Sequence, residues 1–105
     1  MDTTEAAGCL ESLGNEKRLS VFRQLIRSGP DGLPVGQLQS HLGIPGSTLS
    51  HHVAHLVNQG LVTQAREGRV LRCTANYARM NALITFLTEE CCADAEGCSP
   101  DAGEC

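Results

Sequence analysis

STLSHHVAHLVNQGLVTQAREGRVLRC, residues 47–73, changes its hydrophobic period midway. Up to Val57 the apolar residues Leu49, Val53, Leu56 and Val57 recur at the spacing of one helical face. Beyond Gly60 the chain breaks into two short strand-like runs around Glu67 and Gly68, a pair rich enough in glycine to close a hairpin. Just upstream, VGQLQSHL (35–42) is a second short helix with Val35, Leu38 and Leu42 facing inward, and GIPG (43–46) is the tight turn between the two. Two short helices so joined make a helix-turn-helix. With a basic hairpin directly behind it, the predicted fold is mainly α with a β-hairpin wing, a winged helix-turn-helix.

The flanks add three helices. Leu10 and Leu13 mark a first helix that stops near Gly14, and Asn15 is a suitable N-cap for a second, EKRLSVFRQLIRSG, with Leu19, Phe22, Leu25 and Ile26 on its inner face. Gly29 and Pro30 end it, and DGLP (31–34) turns the chain. Asn76 caps a last helix, YARMNALITFLTEECC, with the stripe Met80, Leu83, Ile84 and Leu87 and with Cys91 prolonging that stripe. Residues 1–92 read as a DNA-binding and dimerisation domain, and residues 93–105 as an acidic, cysteine-containing tail.

A chain of 105 residues builds only a modest core, and a second copy would help to bury apolar surface. No stretch approaches the roughly 18 apolar residues of a membrane span, and the N-terminus lacks the pattern of a secretory leader. The expected compartment is the cytoplasm, where thiols stay reduced, so six cysteines point to free, metal-binding or redox-active thiols rather than structural disulfides. The net charge of −4 looks wrong for a nucleic-acid binder until the chain is divided. Residues 1–88 hold eight basic side chains against six acidic ones, whereas residues 89–105 hold six acids and no base. The body is mildly basic, and the acidity belongs to the tail.

On a helical wheel the apolar stripe of the second motif helix leaves Ser47, Ser50, His51, Ala54, His55 and Asn58 on the opposite side. Small, hydrogen-bonding side chains suit the major groove, where they fit against base edges while charge for the phosphates comes from elsewhere. Arg66 and Arg69 flank the hairpin turn, with Arg72 further along, placed to hold phosphates or reach a minor groove. The plain alternative is a solvated hairpin with ordinary surface arginines. His52 falls at the edge of the buried side and is expected to be packed and hydrogen-bonded, and His41 is expected at the surface.

The run STLSHHVAHLVNQGLVTQAREGRVLRC, together with EKRLSVFRQLI, resembles the ArsR/SmtB family of small metal-responsive winged-helix repressors over about residues 5–90. That resemblance implies a homodimer whose first and last helices form the interface, bound to palindromic double-stranded operator DNA and released by an inducer. It places base contacts at Ser47, Thr48, Ser50 and His51 and the wing at Arg66 to Arg72. Arsenic-responsive members often carry a C-V-C pair before the recognition helix, but here Pro34 and Gly36 stand there; zinc-responsive members use Asp and His on the last helix, which here has no histidine.

Four cysteines lie between Cys91 and Cys105. Clustered thiolates select soft ions. Trivalent arsenic or antimony takes three of them in a pyramid, and Gly97 would let Cys98 fold back on Cys91 and Cys92. Some arsenic-responsive relatives have a C-terminal site of this kind, which the resemblance supports. The expectation is a repressor that arsenite or antimonite releases by binding Cys91, Cys92 and Cys98, with no catalytic cofactor. A redox or sulfide switch, or a cadmium, lead or zinc site, remains the alternative. Cys9 and Cys73 are expected to be buried structural residues. CTANYAR (73–79) matches the C-x5-R spacing of phosphatases and of some arsenate reductases, but its loop has no glycine to turn N–H groups toward an oxyanion, and an enzyme is not expected.

Overall fold

The computed structural model describes residues 1–95. Its elements run α1 (Thr3–Leu13), α2 (Glu16–Ser28), β1 (Leu33–Pro34), α3 (Val35–Leu42), α4 (Gly46–Asn58), β2 (Val62–Glu67), β3 (Val70–Ala75) and α5 (Tyr77–Thr88). This is a winged helix-turn-helix, with α3 and α4 as the motif and the β2–β3 hairpin as the wing. No helix among the described residues is long and apolar enough to cross a membrane.

Local chemistry sets the helix ends. Asp2, Asn15 and Asn76 each accept a backbone N–H of the first turn of α1, α2 and α5 through their side chains. Gly43 closes α3 in the left-handed conformation (φ 64°, ψ 28°), and its N–H donates to the Gln39 carbonyl. That sharp stop sends Ile44 and Pro45 directly into α4.

Leu25, Leu38, Leu49, Val53, Leu56 and Leu61 are fully enclosed at the centre, with Cys9 and Cys73 equally buried. α2 crosses this core, and Val21, Phe22 and Leu25 form its inner face. Leu19, expected there, is 41% exposed. Val21 lies one turn before Leu25 and next to Phe22, so the inner arc centres on these three and leaves Leu19 at its edge.

Three further expectations are corrected. The pairing Glu67↔Val70 makes Gly68 and Arg69 the central residues of the hairpin turn, one position later than Glu67 and Gly68. Gly68 takes φ 65° at the first of them, where only glycine is unstrained. The DGLP segment does more than turn: Leu33 and Pro34 form an edge strand that pairs with Cys73 and Arg72, giving a three-stranded antiparallel sheet in the order β1-β3-β2. Proline, lacking an N–H, is tolerated on such an edge. Finally, α5 stops at Thr88 and does not carry Cys91 and Cys92. Glu89 is extended, and Glu90 and Cys92 have φ of 60° and 64°. Carboxylates oppose the negative end of a helix, and Glu89 and Glu90 fall there.

Candidate nucleic-acid interface

α4 is held by its apolar stripe, with Leu49, Val53 and Leu56 fully buried, and this turns the opposite side outward. Ser47, Ser50, His51, Ala54 and Asn58 are exposed along it, as the wheel predicts. Thr48 and His55 lie half-buried on one flank. His55 is fixed there: its Nδ1 is 3.3 Å from the Ser12 Oγ at the end of α1. Its ring also meets the His51 ring edge-on, with centroids 6.3 Å apart.

The wing arginines divide. Arg66 and Arg69 are exposed, and Arg69 borders a groove with Gly36, Gln37 and Ser40 of α3. Arg72 instead pairs with Glu67 at 2.9 Å and donates to the Asp31 carbonyl at 3.1 Å, bracing the wing against the turn before β1. Gln37 and Ser40 were not singled out from the sequence. Their register beside Arg69 follows from β1, two residues long and too short for a period to show.

His52 is only 7% exposed, so packing is as expected, but neither ring nitrogen has a hydrogen-bond partner. Burial lowers its pKa from the ordinary 6.5, and Arg18, His51, Lys17 and His55 add to the effect by repelling a second positive charge. His41 is exposed.

Cys9 is enclosed and directs its Sγ at the Gln59 carbonyl at 3.7 Å. Cys73 is equally buried, which pushes its thiol pKa up despite a hydrogen bond from Gln64. Arg79 is occupied by Glu5 and by the Gln59 carbonyl. A protonated thiol and a committed arginine make no oxyanion cradle, which answers the C-x5-R match.

Cys91 is exposed, with its Sγ 3.4 Å from the Cys92 Sγ. Cys92 is half-buried and disulfide-bonded. Cys98, the third expected ligand, lies with Cys105 and the rest of the tail outside the described residues, and among the described residues no three metal-binding side chains gather.

A helix-turn-helix domain family matches residues 13–65. The chain is 31% identical to the transcriptional activator HlyU of Vibrio cholerae over 86 residues, which are 82% of this chain and 77% of that protein. An ArsR-like transcriptional regulator from Rhodococcus sp. RHA1 superposes with a TM-score of 0.70 at 25% identity, covering 80% of this chain and 76% of the other. Reduced HlyU from Vibrio cholerae superposes with a TM-score of 0.64 at 31% identity, covering 86% and 92%. These relatives are transcriptional regulators, not enzymes.

Proposed function

The chain belongs to the ArsR/SmtB family of winged helix-turn-helix transcriptional regulators, and from that premise we propose that it is an arsenite- and antimonite-responsive repressor acting as a homodimer on double-stranded operator DNA. The observation that carries the inducer assignment is the vicinal pair Cys91 and Cys92, 3.4 Å apart and three residues beyond the end of α5. Once Cys92 is reduced, two adjacent thiolates suit a three-coordinate ion whose lone pair fills the fourth position, with Cys98 as the third thiolate.

Operator contact falls to Ser47, Thr48, Ser50, His51 and His55 for the bases and to Arg66 and Arg69 for the backbone. Dimerisation falls to α1 and α5, where Leu10, Ile84 and Leu87 are 44%, 52% and 56% exposed. An apolar surface on the helix that leads into the thiols couples the two events. A ligand that ties residues 91–98 together changes how the α5 ends meet, and DNA affinity falls by the ratio of ligand affinities for free and DNA-bound protein. Cys92 must be reduced before it can serve as a ligand. Each As–S bond then replaces an As–OH bond and the thiol proton leaves with the hydroxide as water, so arsenite affinity is level below the thiol pKa values and falls as the thiols ionise.

A second reading, thiol-redox control, is favoured by the disulfide state of Cys92 beside the free thiol of Cys91. One experiment separates them. Operator binding by the reduced protein is followed by fluorescence anisotropy during titration with arsenite, antimonite, zinc, cadmium and a mild oxidant. The arsenic reading expects release by arsenite and antimonite, and loss of that release in Cys91→Ser, Cys92→Ser and Cys98→Ser with DNA binding retained. Release by oxidant alone supports the redox reading and overturns the first.

A further inference from the structure

His52 is an anomaly that the helix-turn-helix does not account for. It is more than nine-tenths buried on α4, yet both of its ring nitrogens lack a partner. A neutral imidazole carries one donor and one acceptor, and leaving such groups dry and unmade costs about 1–3 kcal/mol each. A group that enters the site and bonds to the ring would offset this cost.

His52 lines a notch with Gly14, Asn15, Glu16 and Lys17, the turn between α1 and α2. α2 starts there, so the positive end of a 13-residue helix faces the notch. The Asn15 side chain accepts the N–H groups of Lys17 and Arg18, and the Glu16 N–H takes no acceptor among the described residues. Lys17 is exposed at the rim, Arg18 is held behind it by its bond to the Ser12 carbonyl at 2.7 Å, and the His51 and His55 side chains stand on the α4 side. The one acid lining the notch, Glu16, is exposed to solvent. The balance of charge favours an anion.

The notch is also in the right place for one particular anion. His52 shares its flank of α4 with Thr48 and His55, beside the exposed row Ser47, Ser50 and His51, and the His51 and His52 ring centroids are 6.0 Å apart. A helix seated in the major groove has a phosphate backbone along each side. The α1–α2 turn lies beside the His52 flank of α4. We propose that this notch is a phosphate site, in which the Glu16 backbone N–H and the Lys17 ammonium hold one backbone phosphate of the bound DNA and the His52 ring, whose nitrogens are sealed in the free chain, turns to add its N–H. This rests on the reading of α4 as the recognition helix.

The test uses the full reduced chain and a duplex selected from a random-sequence library. Ring resonances of His52 are followed by nitrogen–proton NMR during titration with inorganic phosphate and, separately, with the duplex. Both are expected to move them; failure of both to do so overturns the proposal. In parallel, the salt dependence of duplex binding is measured for Lys17→Ala, whose site is exposed and whose folding is not at risk, and for His52→Gln. Lys17→Ala is expected to lower the slope of log affinity against log salt by about one per bound chain. A shift with inorganic phosphate but an unchanged slope in Lys17→Ala assigns the site to a free anion and overturns the DNA assignment. If the unaltered chain selects no duplex at all, it is the recognition-helix reading that fails, an outcome distinct from an unchanged slope.

Discussion

The Arg79 guanidinium donates to the Gln59 carbonyl at 3.0 Å, so the first turn of α5 holds the C-terminal cap of α4. Its other arm reaches the Glu5 carboxylate at 3.1 Å, and Asn76 adds a bond from its side chain to the Gly60 carbonyl at 2.9 Å. α1, the end of α4 and the start of α5 therefore meet at one side chain. If the proposed ligand acts near α5, this side chain is one route by which it would reach α4. Arg79→Ala is expected to lower the urea unfolding free energy by about 1–2 kcal/mol, since charge-assisted bonds to partly buried groups are lost. It is also expected to weaken operator binding in the anisotropy assay and to reduce the change that arsenite produces.

Ser50 and His51 are exposed, and His51 touches only the neighbouring His52 and His55 rings, so replacing either with Ala is expected to change the unfolding midpoint little while costing about 1–3 kcal/mol of discrimination between operator and altered duplexes. Arg66→Ala and Arg69→Ala are expected to weaken all duplexes alike and to lower the salt slope by about one each. Competition binding with matched and scrambled duplexes distinguishes the two behaviours.

Ile84→Glu or Leu87→Glu places a charge on the apolar side of α5 that the single chain leaves open. Sedimentation velocity is expected to show a folded monomer with unchanged helical circular dichroism. A persisting dimer would move the interface away from α5.

Stability is expected to fall on both sides of neutrality. The native state holds the His52 pKa below its ordinary 6.5, so as pH drops through that value the unfolded chain takes up the proton first and is favoured. The native state holds the Cys73 pKa above its ordinary 9.0, so the unfolded chain releases its proton first as pH rises through that value, and stability falls again. His52→Leu is expected to flatten the acid limb and Cys73→Ala the alkaline limb in denaturation midpoints measured across pH.

Gly32 has φ 65°, and a Cβ there would collide with the Cys73 carbonyl across the β1–β3 pairing. Gly32→Ala is therefore expected to destabilise by more than the roughly 1–2 kcal/mol of a left-handed alanine alone, because the edge strand must also move. Gly36→Ala, with open space at its Cβ, is the control expected to be near neutral.

Much of this architecture is legible because strong local signals agree. The stripe of Leu49, Val53 and Leu56, the caps Asn15 and Asn76, and the glycine of the wing turn each have a short-range physical cause, and each is where its residue type predicts. The rest is not legible where the deciding partner is distant in sequence or where two local signals compete. β1 exists because β3 offers it an edge, and its two residues carry no period of their own. At the end of α5 the cysteines prolong an apolar stripe, whereas the carboxylates of Glu89 and Glu90 weigh against continuing the helix, and it stops at Thr88. His52 was expected to find a hydrogen bond, as buried histidines ordinarily do, and only the packing of α2 against α4 shows that it has none.

By itself the sequence determined the fold class, the outward row of α4 and the identity of the thiols, because periodicity, caps and residue chemistry act over a few positions. Only the tertiary structure decided that Arg72 braces the wing while Arg66 and Arg69 stay open, and that Arg79 joins three helices. It alone brings His52 to the α1–α2 turn. Those depend on which groups meet after the chain has closed on its core, and such contacts between residues tens of positions apart leave no mark on local spacing.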